Sequence, residues 1–551
     1  STPLASGSNA LRAPKGDMPV NKMHVVLFFA LFASGQAESS VVFPNFPGSP
    51  ELFADGSKLM EAKDSPRKSF LSSTLGSNMV LQRAPQQATV WGFAVAGTVV
   101  TTTFDKTQKM SSIADADGIW RQQLPAVEAS ASPHSLIFEA STGESAQMEN
   151  VLFGDVYLCG GQSNMQFGMP QIENASAEAA RADRYPLIRV FTVGQGTRST
   201  SPLDDLQTIT QLWSVANHTS MRPFSAVCWI FGREVFDALG GSVPIGLINN
   251  DWGGTPDETW STPKTAKTCN VTMPPQAQLA QLYNAMINPY TVGPMALVGF
   301  TWYQGEANVD ERRGVEGAAR YACTFPAMIT EWRQAFKNPQ AYFGFVQLST
   351  WCGNGELIAE MRTNGQMAAL SLANIGYATN ADHGAGCNIH PPPKQYCGKR
   401  LANSALALIY GKNIMWKSPS FKSQTASASP PSVTVSFNDV SSDGLRDDQY
   451  PFNYLGGKFN CSTTFHGTNN LGCAWASLQL ANGSWVNSSI VVNGNQMTLS
   501  LPEAYSKAGA PVASRYAWGA VPMMSVYDRK TNLPLLAWSE NVTASFAELL
   551  V

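Results

Sequence analysis

The sequence predicts an α/β protein whose central part is a doubly wound parallel sheet, with β-rich regions before and after it. Three observations support this prediction. From residue 151 onward, short apolar runs alternate with segments of helical period, the pattern of parallel strands joined by crossover helices. Both flanks instead contain short strand-like runs separated by turn residues. A length of 551 residues, 44% of them hydrophobic, gives room for two or three domains with sizeable cores.

The N-terminal flank, residues 41–149, is predicted to form a small β-sandwich or jelly roll. Its strand-like runs are 79–81, 88–91, 99–104, 118–124 and 136–138. The C-terminal flank, residues 432–551, is again β-like, with its clearest strands at 432–437, 475–480, 490–501 and 523–527. Residues 418–431, rich in Ser and Pro, are predicted to be a linker.

The central region, residues 150–412, is predicted to contain the parallel sheet. Its strand-like runs are 151–158, 187–193, 243–248, 297–303, 342–348 and 375–378. Its helical segments are 177–181, 225–239, 276–287, 320–336, 356–372 and 394–409, and the second of these closes on two glycines, a helix C-cap signal. Ligands of such sheets bind beyond the carboxyl ends of the strands, so the loops there are the candidate site.

The N-terminus has the features of a secretory signal peptide, which we predict to occupy residues 1–37 together with an upstream extension. Lys22 precedes an apolar run at 25–33, and small residues follow at 35–37. That run is too short to span a bilayer, and we expect no membrane span in the mature chain. The chain has N-x-S/T sequons at Asn174, Asn217, Asn270, Asn460, Asn482, Asn487 and Asn541, which fit a secreted or lysosomal glycoprotein.

The cysteine and charge content indicates which disulfides, metals and macromolecular partners to expect. Because there are nine cysteines, at least one is unpaired in the monomer if the rest pair. Cys159 is the predicted free cysteine, and Cys461–Cys473 and Cys387–Cys397 are predicted local bridges. No C-x-x-C or H-E-x-x-H spacing occurs, so we expect no metal and no cofactor. The 37 basic and 40 acidic residues nearly balance, which indicates neither nucleic acid nor an anionic membrane as a partner.

The motif at 160–165 (GGQSNM) lies between a buried apolar strand and a helical segment. Its glycines allow a sharp turn and leave room for a substrate. Ser163 then stands at a helix start, among backbone N–H groups that have no intrahelical acceptor, which suits a nucleophile and a developing oxyanion. Met165 occupies the place of the second glycine of a G-x-S-x-G elbow. The alternative is that Ser163 is an ordinary helix N-cap.

Two further loops place glycines beside amides at predicted strand ends, 249–255 (NNDWGGT) and 302–308 (WYQGEAN). An unobstructed glycine N–H and a side-chain amide are both suitable donors to an oxyanion. Gly253, Gly254 and Gln304 are therefore candidate oxyanion-hole residues. The alternatives are a simple turn for the two glycines and a loop hydrogen bond for Gln304.

The general base is sought among six histidines. Two of them, His383 and His390, lie in the loop after the last predicted strand, whereas the others lie in the signal peptide, the β regions or a sequon. Pro391 fixes the backbone after His390 and suits a helix start, so His390 has a stiff support. His383, between Asp382 and Gly384, is the less favoured candidate.

These motifs, in this order and spacing, resemble those of the sialate O-acetylesterases, a family of the SGNH hydrolase superfamily. The matching blocks are 161–165 (GQSNM), 252–255 (WGGT), 302–306 (WYQGE) and 389–394 (IHPPPK), with further blocks at 80–83, 90–92, 283–287 and 515–518. The resemblance covers about residues 77–538 and implies an SGNH-type sheet. It implies Ser163 as the nucleophile and His390 as base and then acid. The Ser163 N–H, Gly253 or Gly254, and Gln304 would form the oxyanion hole.

One position departs from the family pattern. SGNH enzymes often have Asp three residues before the histidine, but Cys387 stands there. Asp382, the carboxylate of this loop, is therefore the predicted third catalytic residue. A backbone carbonyl orienting His390 in a Ser–His dyad, or Glu306, are the alternatives.

The predicted function is that of a secreted serine esterase that removes O-acetyl groups from sialic acids through an acetyl-enzyme. Arg362, near the start of a predicted helix, is the candidate for bidentate binding of the sialic acid carboxylate, with Asn164 and Glu306 as further substrate contacts. The alternative for Arg362 is a solvated arginine on the helix surface. One alternative is an acetylesterase for other acetylated polysaccharides such as xylan. Another is a catalytically silent glycan-binding protein, which the intact Ser163 and His390 disfavour. The sequence gives no oligomeric state.

Overall fold

The structure is a computed structural model that describes residues 58–61, 64, 66–271, 279–309, 316–353, 355–448, 476–522 and 524–542. The predicted signal peptide, the Asn460 sequon and the predicted Cys461–Cys473 bridge lie outside the described residues. Among the helices described, none is long and apolar enough to cross a membrane.

The N-terminal region forms β-strands that lead into the central sheet. They are β1 (Lys58–Met60), β2 (Val80–Gln82), β3 (Thr89–Phe93), β4 (Val99–Phe104), β5 (Gln108–Ile113), β6 (Ile119–Gln123) and β7 (Ser130–Ala140). β4 pairs antiparallel with β5 and β7, and β3 pairs with β6. β5 is absent from the sequence prediction because its side chains are exposed or half-buried and give no apolar alternation.

A large mixed sheet, mostly parallel, follows. Its strands, from one edge to the other, are β11 (Ile209–Val215), β9 (Ile188–Val193), β12 (Ile245–Asp251), β8 (Ser145–Gly161), β13 (Gly299–Tyr303), β14 (Tyr342–Gln347) and β15 (Ile375–Thr379), and β10 (Thr197–Ser199) pairs with β1. Pairing is parallel except between β11 and β9. Strands β9, β12, β13, β14 and β15 are buried throughout, which explains why their sequences are continuous apolar runs.

The helices occupy most of the predicted segments. They are α1 (Ser163–Gln166), α2 (Ala175–Ala182), α3 (Ala226–Ala238), α4 (Pro263–Thr268), α5 (Asn288–Thr291), α6 (Glu316–Ala335), α7 (Leu357–Glu360) and α8 (Gln395–Leu408). The Ser225 hydroxyl caps α3 by accepting the Cys228 N–H at 3.2 Å, and Gly240 and Gly241 follow with positive φ, as predicted. Predicted helix 356–372 is instead α7 followed by a π turn, Met361–Gly365, and a 3₁₀ turn.

Strand β8 lies at the point where the order of strands reverses. β12 pairs with it on one side and β13 on the other, and each pairing extends to Gly161 at its end. Such a switch point is where open α/β sheets bind ligands. The other end of β8 belongs to the N-terminal sheet, since β2 and β7 pair with it. One strand therefore crosses the predicted boundary between residues 149 and 150.

The N-terminal region also makes polar contacts with β8, at Asp155 and Val156 in the buried part of that strand. Arg83 donates from Nε and Nη2 to the Asp155 carboxylate at 2.8 and 3.0 Å. Gln82 accepts the Val156 N–H at 3.0 Å. The two regions share one continuous hydrophobic core, which includes Trp91 and Leu158. The β-rich flank is thus part of the support of the central sheet.

The described residues of the C-terminal region form two four-stranded sheets and a strand pair. Its strands are β16 (Ser420–Ala428), β17 (Pro431–Asn438), β18 (Leu445–Asp447), β19 (Ala476–Gln479), β20 (Trp485–Asn487), β21 (Ser489–Asn493), β22 (Gln496–Ser500), β23 (Ala513–Tyr516), β24 (Val526–Asp528) and β25 (Trp538–Asn541). They contribute a second hydrophobic cluster around Trp538. The linker predicted at 418–431 was wrong, because β16 lies there and pairs antiparallel with β17. The polar, Ser-rich sequence of β16 gives no strand pattern, and the strand forms because β17 provides its hydrogen-bond partner.

The disulfide prediction was also wrong within the described residues. The bridges are Cys159–Cys228, Cys269–Cys323 and Cys352–Cys387, and the free cysteine is the buried Cys397. Cys159 ends the apolar part of β8 and meets α3, which is distant in sequence and adjacent in space. Cys397 lies in α8 with its thiol toward the Lys394 carbonyl at 3.3 Å, away from Cys387. The prediction that cysteines close in sequence pair with each other was therefore wrong for Cys387 and Cys397.

Candidate active site

The turn after β8 positions Ser163. Gly161 has a φ of +138°, a conformation that side-chain-bearing residues rarely adopt. A Cβ there would lie 2.2 Å from the Tyr303 carbonyl oxygen, so only glycine permits this close approach. Ser163 is the first residue of α1 and is half-buried, and its N–H belongs to a first helical turn, where backbone donors have no intrahelical acceptor.

His390 is the histidine that meets this serine. Its Nε2 lies 2.7 Å from Ser163 Oγ, within the range for proton transfer. Its ring stacks on Phe167, with the ring centroids 6.1 Å apart. His383 instead stacks on Tyr396, at 3.4 Å between centroids. Of the two histidines in the loop, the structure brings His390 to the serine.

The environment favours the neutral imidazole of His390. Burial lowers the pKa of His390 to about 4, and the nearby Lys394 ammonium acts in the same direction. At neutral pH the ring therefore lacks the second proton and can accept one from Ser163.

A crosslink fastens the loop at the position where SGNH enzymes often have Asp. Cys387, three residues before His390, is bonded to Cys352 in the loop after β14. The Asn388 Oδ1 accepts the His390 N–H at 2.9 Å, an Asx-type turn. A disulfide and a local turn thus constrain the backbone that carries the histidine.

Asp382, the predicted third catalytic residue, lies in a buried ion pair. Its two carboxylate oxygens accept from Arg400 Nη1 and Nη2 at 2.7 and 2.8 Å, and one of them lies 2.9 Å from His383 Nδ1. Burial by itself would raise the pKa of Asp382, but Arg400 and His383 outweigh it and hold that pKa far below its usual range. The carboxylate contacts Arg400, His383 and, at 3.5 Å, the Tyr527 hydroxyl. Its catalytic role stays a prediction.

Asn164 and Glu306, both predicted substrate contacts, lie behind Ser163. Asn164 is fully buried, and its Nδ2 donates to Glu306 Oε1 at 2.6 Å and to the Ile389 carbonyl at 2.8 Å. Its Oδ1 accepts from Lys394 Nζ. Burial raises the pKa of Glu306, against the opposing effects of the Asn164 hydrogen bond and the Lys394 charge. The Asn164 amide therefore joins three protein segments around the serine.

The two glycines of the candidate oxyanion hole differ in their contacts. The Gly253 N–H donates to Gln166 Oε1 at 2.9 Å, and Gln166 Nε2 donates in turn to Gln195 Oε1 at 3.1 Å. Gln195 Nε2 donates to the Asp251 carbonyl at 2.9 Å. Gly254 has a φ of +73° and is half-buried. A chain of side-chain amides thus holds this loop, with Gly253 as its contact point.

Gln304, the third oxyanion candidate, is fully buried and extensively hydrogen-bonded. Its Nε2 donates to Asn308 Oδ1 at 2.7 Å and to the Thr255 carbonyl at 3.2 Å, and its Oε1 accepts from the Tyr321 hydroxyl at 2.9 Å. Through Thr255 it connects its own loop to the glycine loop. Donation to an oxyanion would require it to exchange one of these contacts.

Arg362, the predicted carboxylate contact, is 2% exposed in the π turn after α7. Its Nη2 donates to the Gly519 carbonyl, whereas Nε and Nη1 have no hydrogen-bond partner among the described residues. Burial lowers the pKa of Arg362 to about 9. Gln366, four residues on, donates to the Gln304 carbonyl at 3.1 Å, which connects this turn to the loops of the site.

Gln166 and Phe167 are site residues that the sequence analysis did not identify. Gln166 holds the glycine loop, and Phe167 stacks on His390. Their spacing from Ser163 is a usable signal, because residues three and four positions after a residue at a helix start share its face. Lys394 belongs to the histidine motif, but its burial beside Asn164 depends on the fold.

The chain is similar in sequence to known carbohydrate esterases. Residues 153–407 match the family model described as carbohydrate esterase, sialic acid-specific acetylesterase. The chain is 33% identical over 398 residues to a sialate O-acetylesterase of Homo sapiens, covering 63% of this chain and 72% of that protein. It is 29% identical over 536 residues to the one of Mus musculus, covering 84% and 92%.

The solved structure of a carbohydrate acetylesterase from Xanthomonas citri superposes with a TM-score of 0.71 at 28% identity, covering 86% of this chain and 99% of that one. The shared sheet confirms the mixed α/β fold. The chain therefore belongs to the sialate O-acetylesterase family and is a carboxylic ester hydrolase.

Proposed function

We propose that this protein removes O-acetyl groups from sialic acids, with Ser163 as the nucleophile and His390 as the general base. The observation that supports this most directly is the 2.7 Å contact between Ser163 Oγ and His390 Nε2 at the carboxyl end of β8. Family membership supports the acetyl ester as the bond that is cleaved, because the similar proteins are named sialate O-acetylesterases.

The reaction proceeds by acyl transfer in two halves. Ser163 Oγ attacks the acetyl carbonyl carbon while His390 Nε2 takes the hydroxyl proton. The tetrahedral intermediate collapses when His390 returns that proton to the sugar oxygen, which leaves acetyl-Ser163. His390 then takes a proton from water, the hydroxide attacks the acetyl carbonyl, and acetate leaves as the serine regains its proton.

For the oxyanion hole, the contacts favour the N–H groups of Ser163 and Gly254 as direct donors. The first lies in the first turn of α1, and the second lies in a loop held in place through its neighbour. Gly253 and Gln304 belong to the same predicted set, and their present contacts with Gln166, Thr255 and Asn308 support a role in fixing the hole.

Arg362 is the proposed contact of the sialic acid carboxylate. A buried guanidinium with donors at Nε and Nη1 that have no described partner would gain from an anionic ligand. A substrate carboxylate could reach the Arg362 guanidinium only if the segment at Gly519 moved, because Arg362 Nη2 donates to the Gly519 carbonyl. An acetylesterase for neutral polysaccharides such as xylan would have no use for this charge.

The finer features of architecture and location are proposals as well. We assign the sheet to the SGNH type, residues 1–37 to a signal segment and upstream extension, and 41–149 and 150–412 to the N-terminal and catalytic regions. The C-terminal region, predicted as 432–551, begins earlier, with β16 at Ser420. The disulfides are compatible with a protein of the secretory pathway. We place the protein outside the cell or in lysosomes. Sequon residues Asn174, Asn270, Asn482, Asn487 and Asn541 are exposed, as glycosylation requires, whereas Asn217 is half-buried with its amide in local hydrogen bonds.

A substrate panel tests the function. Purified protein is assayed for acetate release from O-acetylated sialosides and from acetylated xylan, with Ser163→Ala as the inactive control. We expect higher kcat/KM on the sialosides. Arg362→Met should raise KM for the sialosides by roughly tenfold or more, the range of a lost hydrogen bond to a charged group, and leave xylan unaffected. Equal activity on both substrates in the wild-type protein would favour the general acetylesterase.

A further inference from the structure

Lys394 is a buried cation beside the candidate site to which the acyl-transfer mechanism gives no role. It is fully buried at the start of α8, four residues after His390. Its ammonium lies over two aromatic rings, 4.9 Å from the centroid of Phe167 and 5.2 Å from that of Tyr303. Phe167 is also the ring on which His390 stacks, so the cation and the imidazole contact the same aromatic ring.

The Asn164 amide connects this cation to an equally buried carboxylate. Its oxygen accepts from Lys394, and its nitrogen donates to Glu306 and to the Ile389 carbonyl. The oxygen thus faces the positive charge and the nitrogen faces the negative one, which fixes the orientation of the amide. Since Ile389 immediately precedes His390 and Asn164 immediately follows Ser163, the same amide joins the two reacting residues through their neighbours.

We propose that Lys394 and Glu306 are positioning residues that hold His390 against Ser163 through the Asn164 amide, and that the Lys394 ammonium, which lies over the Phe167 ring on which His390 stacks, opposes a positive charge on His390. This inference rests on the proposed function of Ser163 and His390. It explains how a loop whose expected aspartate position is occupied by a disulfide cysteine still presents an ordered histidine.

The charges around His390 determine whether its pKa is raised or lowered. Lys394 acts on it from its own segment, and the neutral Ser163 contacts it from α1. Glu306, in the loop after β13, is connected to this cluster through Asn164. Asp382 is neutralised by Arg400, and the backbone N–H of Glu173 reaches the same loop by donating to the Pro392 carbonyl at 3.1 Å. Lys394 is the cation that opposes protonation of His390, and its own pKa, lowered by burial to about 8, leaves it charged at neutral pH.

The test uses Lys394→Met, which removes the charge and keeps an apolar stem. The acid limb of kcat/KM should move to higher pH by roughly one unit, because a positive neighbour of the base is lost. The rate at the pH optimum should fall on the order of tenfold or more, because the Asn164 contact is lost. Lys417→Met is the matched control, since Lys417 is exposed and also contacts an aromatic ring, that of Trp416 at 5.6 Å. It should change neither quantity.

A second measurement separates this role from a purely structural one. The His390 imidazole is titrated by NMR in the Ser163→Ala background, where no turnover is needed. Lys394→Met should raise the midpoint. Glu306→Gln should leave it nearly unchanged, because the raised pKa of Glu306 already keeps that carboxyl mainly protonated at the pH where His390 titrates. If Lys394→Met does not fold, Lys394→Gln takes its place in the same titration. A midpoint unchanged by every folded Lys394 variant overturns the inference, whereas acetate release by Ser163→Ala itself would overturn the proposed function.

The coupling through Asn164 has its own test. Asn164→Leu should lower kcat by about as much as Lys394→Met, and the double variant should be little worse than either, since both remove one connection. Losses that multiply would show that Lys394 acts on His390 without Asn164 and would overturn that part of the inference.

Discussion

In the part of the chain that the structure describes, Ser130–His134 and Ser163–His390 are both hydrogen-bonded serine–histidine pairs, and they differ in their surroundings. In the N-terminal region, Ser130 Oγ lies 3.1 Å from His134 Nε2, and His134 Nδ1 lies 2.7 Å from Asp105. These three residues have the connectivity of a Ser–His–Asp triad. At the candidate site, Ser163 and His390 are 2.7 Å apart, and the predicted acid, Asp382, faces Arg400 instead.

The difference lies in what surrounds each serine. Ser130 stands within strand β7, its hydroxyl accepts the Ser132 N–H at 3.2 Å, and the Asp105 side chain is 41% exposed. Ser163 stands at a glycine-bounded turn from strand to helix, beside two further loops of the same sheet. We therefore expect that a hydrogen-bonded chain of the right residue types is insufficient, and that the backbone setting that supplies oxyanion donors makes Ser163–His390 the reacting pair.

The largest expected effect tests this distinction directly. Ser163→Ala and His390→Ala should each lower kcat on the order of 10⁴-fold or more, and the double variant should be little worse, because the members act as a unit. Ser130→Ala and His134→Ala should keep wild-type acetate release. The readout is acetate release from an O-acetylated sialoside. Loss of activity in Ser130→Ala with Ser163→Ala intact would reverse the assignment.

The two acids provide the next comparison. Asp382→Asn should lower the free energy of unfolding by roughly 3–5 kcal/mol, because it leaves Arg400 buried without its partner. Asp105→Asn should cost about 1 kcal/mol or less, as for an exposed pair. Urea unfolding followed by circular dichroism measures both. The stabilising contribution of Asp382 should disappear at acidic pH, since its pKa is lower in the folded state than in the unfolded chain.

Turnover of the same variant decides the catalytic role of Asp382. If the ion pair is its main role, kcat of folded Asp382→Asn should stay within about tenfold of wild type, far from the roughly 10⁴-fold loss typical of a missing triad acid. A fully folded protein with a kcat lower by orders of magnitude would establish Asp382 as the third catalytic residue despite its contacts with Arg400.

These comparisons also show what the sequence could predict. The strand, the glycine turn and Ser163 are neighbours in the chain, so their local chemistry sufficed to predict them. His390 came from its place in the loop and from the family motif. The partners of Asp382, Cys387 and Asn164 lie 18, 35 and 142 residues away, and only the fold brings them together. The sequence analysis therefore missed the contacts that depend on residues far apart in the chain, because only the packing of the fold brings those residues together.

The pH profile sharpens the comparison between an ordinary histidine and His390. The base must be neutral, and with a pKa of about 4 His390 is roughly 90% neutral at pH 5, whereas an unperturbed histidine would be roughly 3% neutral there. We expect kcat/KM at pH 5 to be close to its value at pH 7. His134→Ala should leave the profile unchanged. An acid limb centred near pH 6.5 would show that His390 titrates as an exposed histidine does.

The smallest effect concerns the setting of the oxyanion hole, the feature that separates Ser163 from Ser130. Gln166 is not a direct donor in the proposed mechanism, but its Oε1 fixes the Gly253 N–H and so the loop that presents Gly254. Loss of a direct oxyanion donor costs about 10²–10³-fold in kcat, so loss of a support should cost less, roughly tenfold. Gln166→Leu should therefore lower kcat by that amount with little change in KM.

Gln496→Leu is the matched control for that variant. It makes the same substitution at an exposed position at the start of β22, where the amide donates to Ser436 Oγ at 3.1 Å, and it should leave kcat unchanged. A hundredfold or greater loss in Gln166→Leu would mean that Gln166 itself faces the oxyanion. No loss at all would mean that the sheet and Gln304 hold the glycine loop without it. Either result would change which groups we assign as the oxyanion donors of Ser163, the feature by which we expect Ser163 to react and Ser130, with its complete Asp–His–Ser chain, not to react.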